Sequence, residues 1–256
     1  LEEVVAMTGE FEAAHHLRPI NPWALKHKDF RQIHELCRLK GSAMLCVEGQ
    51  PEAGPERWVS TAIAGAVRQG WDLISTDALR TKIEAAQEDP TIEDWAYFVV
   101  NALAQRARAR PLIVDAGQRT EGDPIDLLNR RFSREFQQHE GIIWLCWCTP
   151  QYSAPHSPPA IVLKRWSQEE LENLTRCYRP ELVHPKKVAH SLERTSDGWV
   201  ALASAILCKS QTLPEPSLWN LEPEKSNVNG TKLEAFYALQ KEAVSLQDAA
   251  DALLPI

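Results

Sequence analysis

The chain's apolar residues fall into two kinds of pattern. Short continuous runs mark strands: Ala43–Val47, Leu73–Ser75, Leu112–Val114 and Ile142–Cys148. Between them, apolar positions recur at helical spacing over Glu56–Gln69, Asp77–Gln87, Ile92–Arg108 and Pro124–His139. Thr91 stands where the third of these needs a cap. Fully apolar strands alternating with helices predict a parallel sheet with helices on both faces, an α/β fold. Upstream, Leu1–His16 and Phe30–Leu39 read as helices. Phe30, Ile33, Leu36 and Cys37 line one face of the second.

Beyond the last strand the pattern turns helical. Gln151–Pro159 is a Pro- and Ser-rich loop, and Ser167-Gln168-Glu169-Glu170 is a capping box that opens a helix to about Tyr178. Pro185–Arg194 and Trp199–Lys209 follow, split at Asp197-Gly198. Residues 211–230 are rich in Pro and Asn and read as an extended arm. Thr231-Lys232-Leu233-Glu234 then caps an amphipathic helix with Phe236, Tyr237, Val244 and Leu246 on its stripe. The expected organisation is an N-terminal extension over 1–40, an α/β domain over 41–210, and an arm with a C-terminal helix over 211–256.

Composition narrows the classes. The 256 residues are 44% hydrophobic and 25% charged, as in an ordinary globular chain. The formal net charge of −7 gives the whole chain no electrostatic reason to bind nucleic acid or an anionic membrane. No apolar run reaches the length of a membrane span. The six cysteines form no CxxC pair, and three lie in strand-like runs, so they read as reduced core thiols of a reducing compartment. His15-His16 and the pair His34 and Cys37 have no further ligands nearby, so no metal is expected. Trp144 and Trp147 read as core, and Trp166, Trp199 and Trp219 as candidate interface anchors.

The chemistry is concentrated after the first strand. Ala43–Glu48 leads into Gly49-Gln50-Pro51-Glu52-Ala53-Gly54-Pro55-Glu56 and then a helix. That is the context of a phosphate-binding loop, GxxxxGK[ST], and Gly49 and Gly54 have its spacing. Pro55 stands where Lys neutralises phosphate charge, and Glu56 where Ser or Thr holds Mg²⁺. Glu48, Glu52 and Glu56 make the loop acidic, which opposes a nucleotide triphosphate. The same two residues also suit a plain helix start, with Pro in the first position and an acid in the first turn. No cofactor is expected.

Two further stretches carry a resemblance. Leu73-Ile74-Ser75-Thr76-Asp77-Ala78-Leu79-Arg80 and Leu112-Ile113-Val114-Asp115-Ala116, with Ile142–Cys148 after them, resemble P-loop kinases of the polynucleotide-kinase and zeta-toxin type over about residues 43–165. The resemblance implies Asp77 as general base, Arg80 as a substrate ligand and Asp115 near the metal. In plain structural terms Asp77 caps a helix, Arg80 is a surface residue, and Asp115 binds loop N–H groups. Residues 166–207, with Ser191-Leu192-Glu193-Arg194-Thr195-Ser196-Asp197-Gly198-Trp199, are similar to the lid helix of STAND-type P-loop regulators of the maltose-activator kind.

The resulting expectation is a non-catalytic accessory or scaffold subunit. It would meet partner proteins through its N-terminal helices and C-terminal arm; the precedent for an accessory role, by analogy, is the nucleoside-kinase-like subunit of mitochondrial complex I. The start at Leu1 suggests the mitochondrial matrix, with cytoplasm as the alternative. The alternatives in function are an ATP- or GTP-dependent kinase with Asp77 as base, and a STAND-type regulatory domain.

Overall fold

Each apolar run becomes a strand because its residues are buried on both faces, where β-branched and aromatic side chains pack on a pleated surface. The computed structural model describes residues 23–24, 28–76, 92–120, 126–135, 139–150, 160–219 and 221. Their order is α1 (Lys28–Leu39), β1 (Ala43–Glu48), a 3-10 turn (Pro51–Ala53), α2 (Pro55–Arg68), β2 (Asp72–Ser75), α3 (Ile92–Ala109), β3 (Leu112–Gln118), α4 (Asp126–Glu135), β4 (Ile142–Cys148) and β5 (Ala160–Val162). Then come α5 (Gln168–Tyr178), α6 (Pro185–Ser196), α7 (Val200–Lys209) and two 3-10 turns, Ser210–Thr212 and Glu215–Leu218. No described helix is long and apolar enough to cross a membrane.

The chain divides into two compact units, residues 1–48 with 56–162 and residues 49–55 with 163–256. The first holds a five-stranded sheet in the order β2-β3-β4-β1-β5. Every pairing is parallel. β1 pairs with β4, Cys46 opposite Cys146, and β4 therefore separates β1 from β3. Two strand spacings, about 10 Å, lie between β1 and β3.

Strand alternation sorts the core. One face carries Met44, Cys46, Ile74, Val114, Ile142, Trp144, Cys146 and Cys148. It packs on Val99, Val100 and Leu103 of α3 and Leu128 and Phe132 of α4. Phe132 stacks on Trp144 with centroids 5.1 Å apart, a pairing that adds about 1 kcal/mol beyond burial. On the opposite face Val47, Ile113, Ile143 and Leu145 are also fully buried. Periodic residues of α1 and α2 are buried as well, Phe30 meeting Trp58 edge-on at 5.8 Å. The Trp71 indole N–H fixes the end of α1 by donating to the Cys37 carbonyl at 3.2 Å.

The second unit is helical. The Ser167 capping box forms as its sequence dictates. α7 is buried from Val200 through Leu207. α6 ends at Asp197 and Gly198, both left-handed, and the Gly198 amide returns to Glu193 O at 3.2 Å. A Cβ at Gly198 would lie 3.0 Å from the Trp166 carbonyl, so this turn also requires glycine for space. Residues 211–219 and 221, expected as the beginning of an arm, fold onto this unit. Leu218 and Leu221 are fully buried, and Leu221 exchanges hydrogen bonds with Ser191 and Thr195. The remainder of the arm and the C-terminal helix, with Phe236, Tyr237, Val244 and Leu246, lie outside the described residues.

Candidate functional site

Between β1 and α2 the chain makes the loop that the glycine spacing singled out. Its local structure follows from Pro51, whose fixed φ favours a tight turn. Residues Pro51–Ala53 form one 3-10 turn closed by Gly54, which is left-handed at φ 70°. The Ala53 amide donates to Gln50 O at 2.8 Å and the Gly54 amide to Pro51 O at 3.0 Å. A phosphate-cradling loop must turn such amides toward the anion. Here two of them are bonded within the loop, and Pro55 has no amide hydrogen.

The loop's side chains continue the pattern. Glu52 and Ala53 are fully buried, and the turn packs on α7. Gly49 is held close as well, since a Cβ there would lie 3.2 Å from Leu163 Cβ and 3.3 Å from Ala53 Cβ. An acid in this turn supplies no positive charge to neutralise a phosphate, which is what the Lys of a working loop does. Pro55 is the first residue of α2, and Glu56 is exposed in its first turn. Both take the places that a capped helix start favours.

Asp115, the strand-end acid that only the kinase alternative would use, is 8% exposed at a register irregularity of β3. One carboxylate oxygen accepts the Gly117 amide at 3.1 Å. Its carbonyl accepts both the amide and the hydroxyl of Thr76, at 3.0 and 3.2 Å. Asp115 thus ties the ends of β2 and β3 together. Asp77 and Arg80, the base and substrate ligand of the kinase alternative, lie outside the described residues.

One charged group that the pattern did not single out lies just past β3. Arg119 is 3% exposed and pairs with Asp126 at the start of α4, with nitrogens 2.9 and 3.0 Å from Oδ1. Asp126 Oδ1 also accepts the Asn129 amide at 3.1 Å, and Asn129 Oδ1 accepts the Trp144 indole N–H at 2.7 Å. Burial works against the Arg119 charge, but Asp126 more than restores it and the guanidinium is held above its ordinary range. The sequence shows only an Arg seven residues before an Asp, and the burial that makes the pair matter is seen only in the fold.

The thiols form a row along the same face. Cys46 Sγ lies 3.5 Å from Cys148 Sγ, and the Cys146 thiol donates to Leu45 O at 3.6 Å. The Cys146 thiol and burial hold Cys46 above the usual thiol range against the opposing effect of Cys148, and Cys46 with burial does the same for Cys148. None of the six cysteines is joined in a disulfide. Among the described residues no group of three His, Cys, Asp or Glu side chains could hold a metal ion. Trp144 is fully buried, whereas Trp166, Trp199 and Trp219 are half-buried.

No protein-family model matches the chain. No curated protein matches it either. Among solved structures, it is similar to a STAND ATPase with a tetratricopeptide repeat sensor from Pyrococcus horikoshii, at 12% identity and a TM-score of 0.51. That match covers 88% of this chain and 34% of the other, so the chain spans about a third of that protein's length. Trip13 from Rhizobiales aligns at 12% identity and a TM-score of 0.46, over 84% of this chain and 87% of the other. A chain of the HORMA:CdnC:Trip13 complex from E. coli MS115-1 aligns at 11% identity and a TM-score of 0.41, over 95% and 87%. With the parallel sheet of five strands, the first of these likenesses gives the chain a P-loop NTPase-like fold.

Proposed function

We propose that this chain is a non-catalytic module of P-loop NTPase-like fold that acts by binding other proteins. One observation carries the reading: the Gly49–Pro55 loop bonds its own amides and buries Glu52 where a working loop presents amides and Lys to phosphate. The contact surfaces in this reading are the N-terminal segment and the stripe of Phe236, Tyr237, Val244 and Leu246. Calorimetric titration with Mg-ATP and Mg-GTP tests it, and no heat of binding at millimolar nucleotide is the expected result. The kinase alternative, with Asp77, Arg80 and Asp115 in the roles the resemblance implies, requires micromolar binding in the same experiment.

A second reading, a STAND-type regulatory domain, is favoured by the extent of the likeness. The kinase resemblance stops near residue 165, whereas the likeness to the Pyrococcus structure takes in 88% of the chain and so includes helices beyond it. The two readings agree if the domain regulates through protein contacts without nucleotide. Pull-down with this chain in the presence and absence of added nucleotide separates them, since a STAND switch changes partners with nucleotide and a scaffold does not.

A further inference from the structure

A groove of about 700 Å³ opens in the helical unit between α5, the beginning of α6 and Trp219. Gln168, Glu172 and Arg176 line it from α5, spaced four residues apart on one helix face. Val183 to Lys187 and His190 line it from α6 and the residues before it. The arrangement is braced. The Glu215 carboxylate accepts the amides of Val183 and His184 at 3.0 and 2.6 Å, which fixes the turn leading to Trp219. Lys187 Nζ sits 4.3 Å from the centre of the Trp219 ring, and the His184 ring meets it edge-on at 5.8 Å.

The groove's chemistry differs from that of the whole chain. Arg176 pairs with Glu172 at 2.8 Å, and the Glu215 carboxylate lies behind the Val183 and His184 amides, so three positive charges less two negative charges leave a local +1, carried by the exposed Lys186 and Lys187, in a chain of −7. The apolar part is also exposed: Val183 is 75% accessible beside Pro185 and Trp219. We propose that this groove binds an acidic peptide segment of a partner protein. Its carboxylates pair with Lys186, Lys187 and Arg176, and an apolar side chain between them rests on Trp219 and Val183. An open groove shared by two helices suits an extended chain. The overall negative charge repels a polyanion such as RNA at long range and leaves the local cations to a shorter acidic ligand. This inference stands apart from the phosphate loop, and nucleotide binding would leave it untouched.

The test is fluorescence anisotropy of a labelled peptide of alternating Glu and Leu, titrated with the full chain. Saturable binding is expected, weakening as salt rises because the charges are exposed. Lys186→Glu and Lys187→Glu should each weaken it about tenfold with an unchanged circular dichroism spectrum, since both side chains are exposed. A matching Lys-Leu peptide should not bind. The inference is overturned by no saturation at millimolar protein, by equal binding of the basic peptide, or by variants that bind as the parent does. It is also overturned if oligouridylate or phosphatidylserine vesicles, and not the acidic peptide, show the Lys186→Glu sensitivity.

Discussion

Gly54 donates its amide to the Pro51 carbonyl at 3.0 Å while holding a left-handed conformation. That bond shuts the turn that would otherwise face a phosphate. Because φ is 70°, any side chain at residue 54 meets a strained backbone. Gly54→Ala should cost about 1 to 2 kcal/mol. Urea denaturation reads this as a lower midpoint with an unchanged slope. An unaltered midpoint would mean the turn does not contribute to the folded state.

The bridge from Arg119 to Trp144 makes a second case. Asp126→Ala leaves a guanidinium 3% exposed without that carboxylate. Breaking a buried pair from one side costs about 3 kcal/mol where the lost partner retains some access to water, as Asp126 does. Asn129→Leu orphans the Trp144 indole and should cost about 1 to 3 kcal/mol. Asn129 donates to Asp126 Oδ1, so the two sites are coupled and the double variant should lose less than the sum of the singles. Thermal unfolding of the four proteins in the cycle checks this.

Arg179 holds the helical unit together from inside. It donates to the carbonyls of Ser210 at 2.6 Å and Leu213 at 3.2 Å and pairs with Glu181. A lysine cannot reproduce that fork of donors. Arg179→Lys should therefore speed hydrogen exchange in residues 210–219 at least tenfold while the sheet strands exchange as before. Equal protection in the variant would show that the fork is dispensable.

Glu215 supplies a pH dependence. Burial works to raise its pKa, but the amides of Val183 and His184 outweigh it and hold the carboxyl below the usual Glu value. A depressed folded pKa stabilises above the unfolded value and is lost as pH falls through the folded one. The Val183 and His184 amide resonances should thus stay constant down to about pH 4.5 and shift below it, with a midpoint under that of a free Glu. A midpoint at the ordinary value contradicts the carboxylate clamp.

The thiols should separate by burial. Cys177 and Cys208 are exposed, whereas Cys37, Cys46, Cys146 and Cys148 are buried, and burial pushes the Cys37 thiol up to about 11. An aromatic disulfide reagent at pH 8 should label two sites rapidly in the native protein and all six after denaturation. Rapid labelling of four or more would mean the sheet opens readily.

Much of the fold was legible because burial on both sides leaves unmistakable apolar runs, as at Ile142–Cys148, and because α1, α3 and α5 bury periodic faces. The Asp197-Gly198 break was legible too, since both residues tolerate the left-handed region. Strand order was not, because pairing of β1 with β4 depends on side chains far apart in sequence. β5 was missed: three residues after a Pro-rich loop carry no periodicity. At the loop, the losses at Pro55 and Glu56 could be read directly, but the burial of Glu52 is a consequence of the turn that Pro51 begins. Arg119 looked like a loop residue because its partner Asp126 belongs to another element.

The most direct measurement is calorimetric titration of Mg-ATP, and separately Mg-GTP, into the full chain. A closed loop with a buried acid predicts no binding heat up to millimolar nucleotide. Saturation in the micromolar range would contradict the account, because the amides of Ala53 and Gly54 would then have to leave their own turn to hold phosphate.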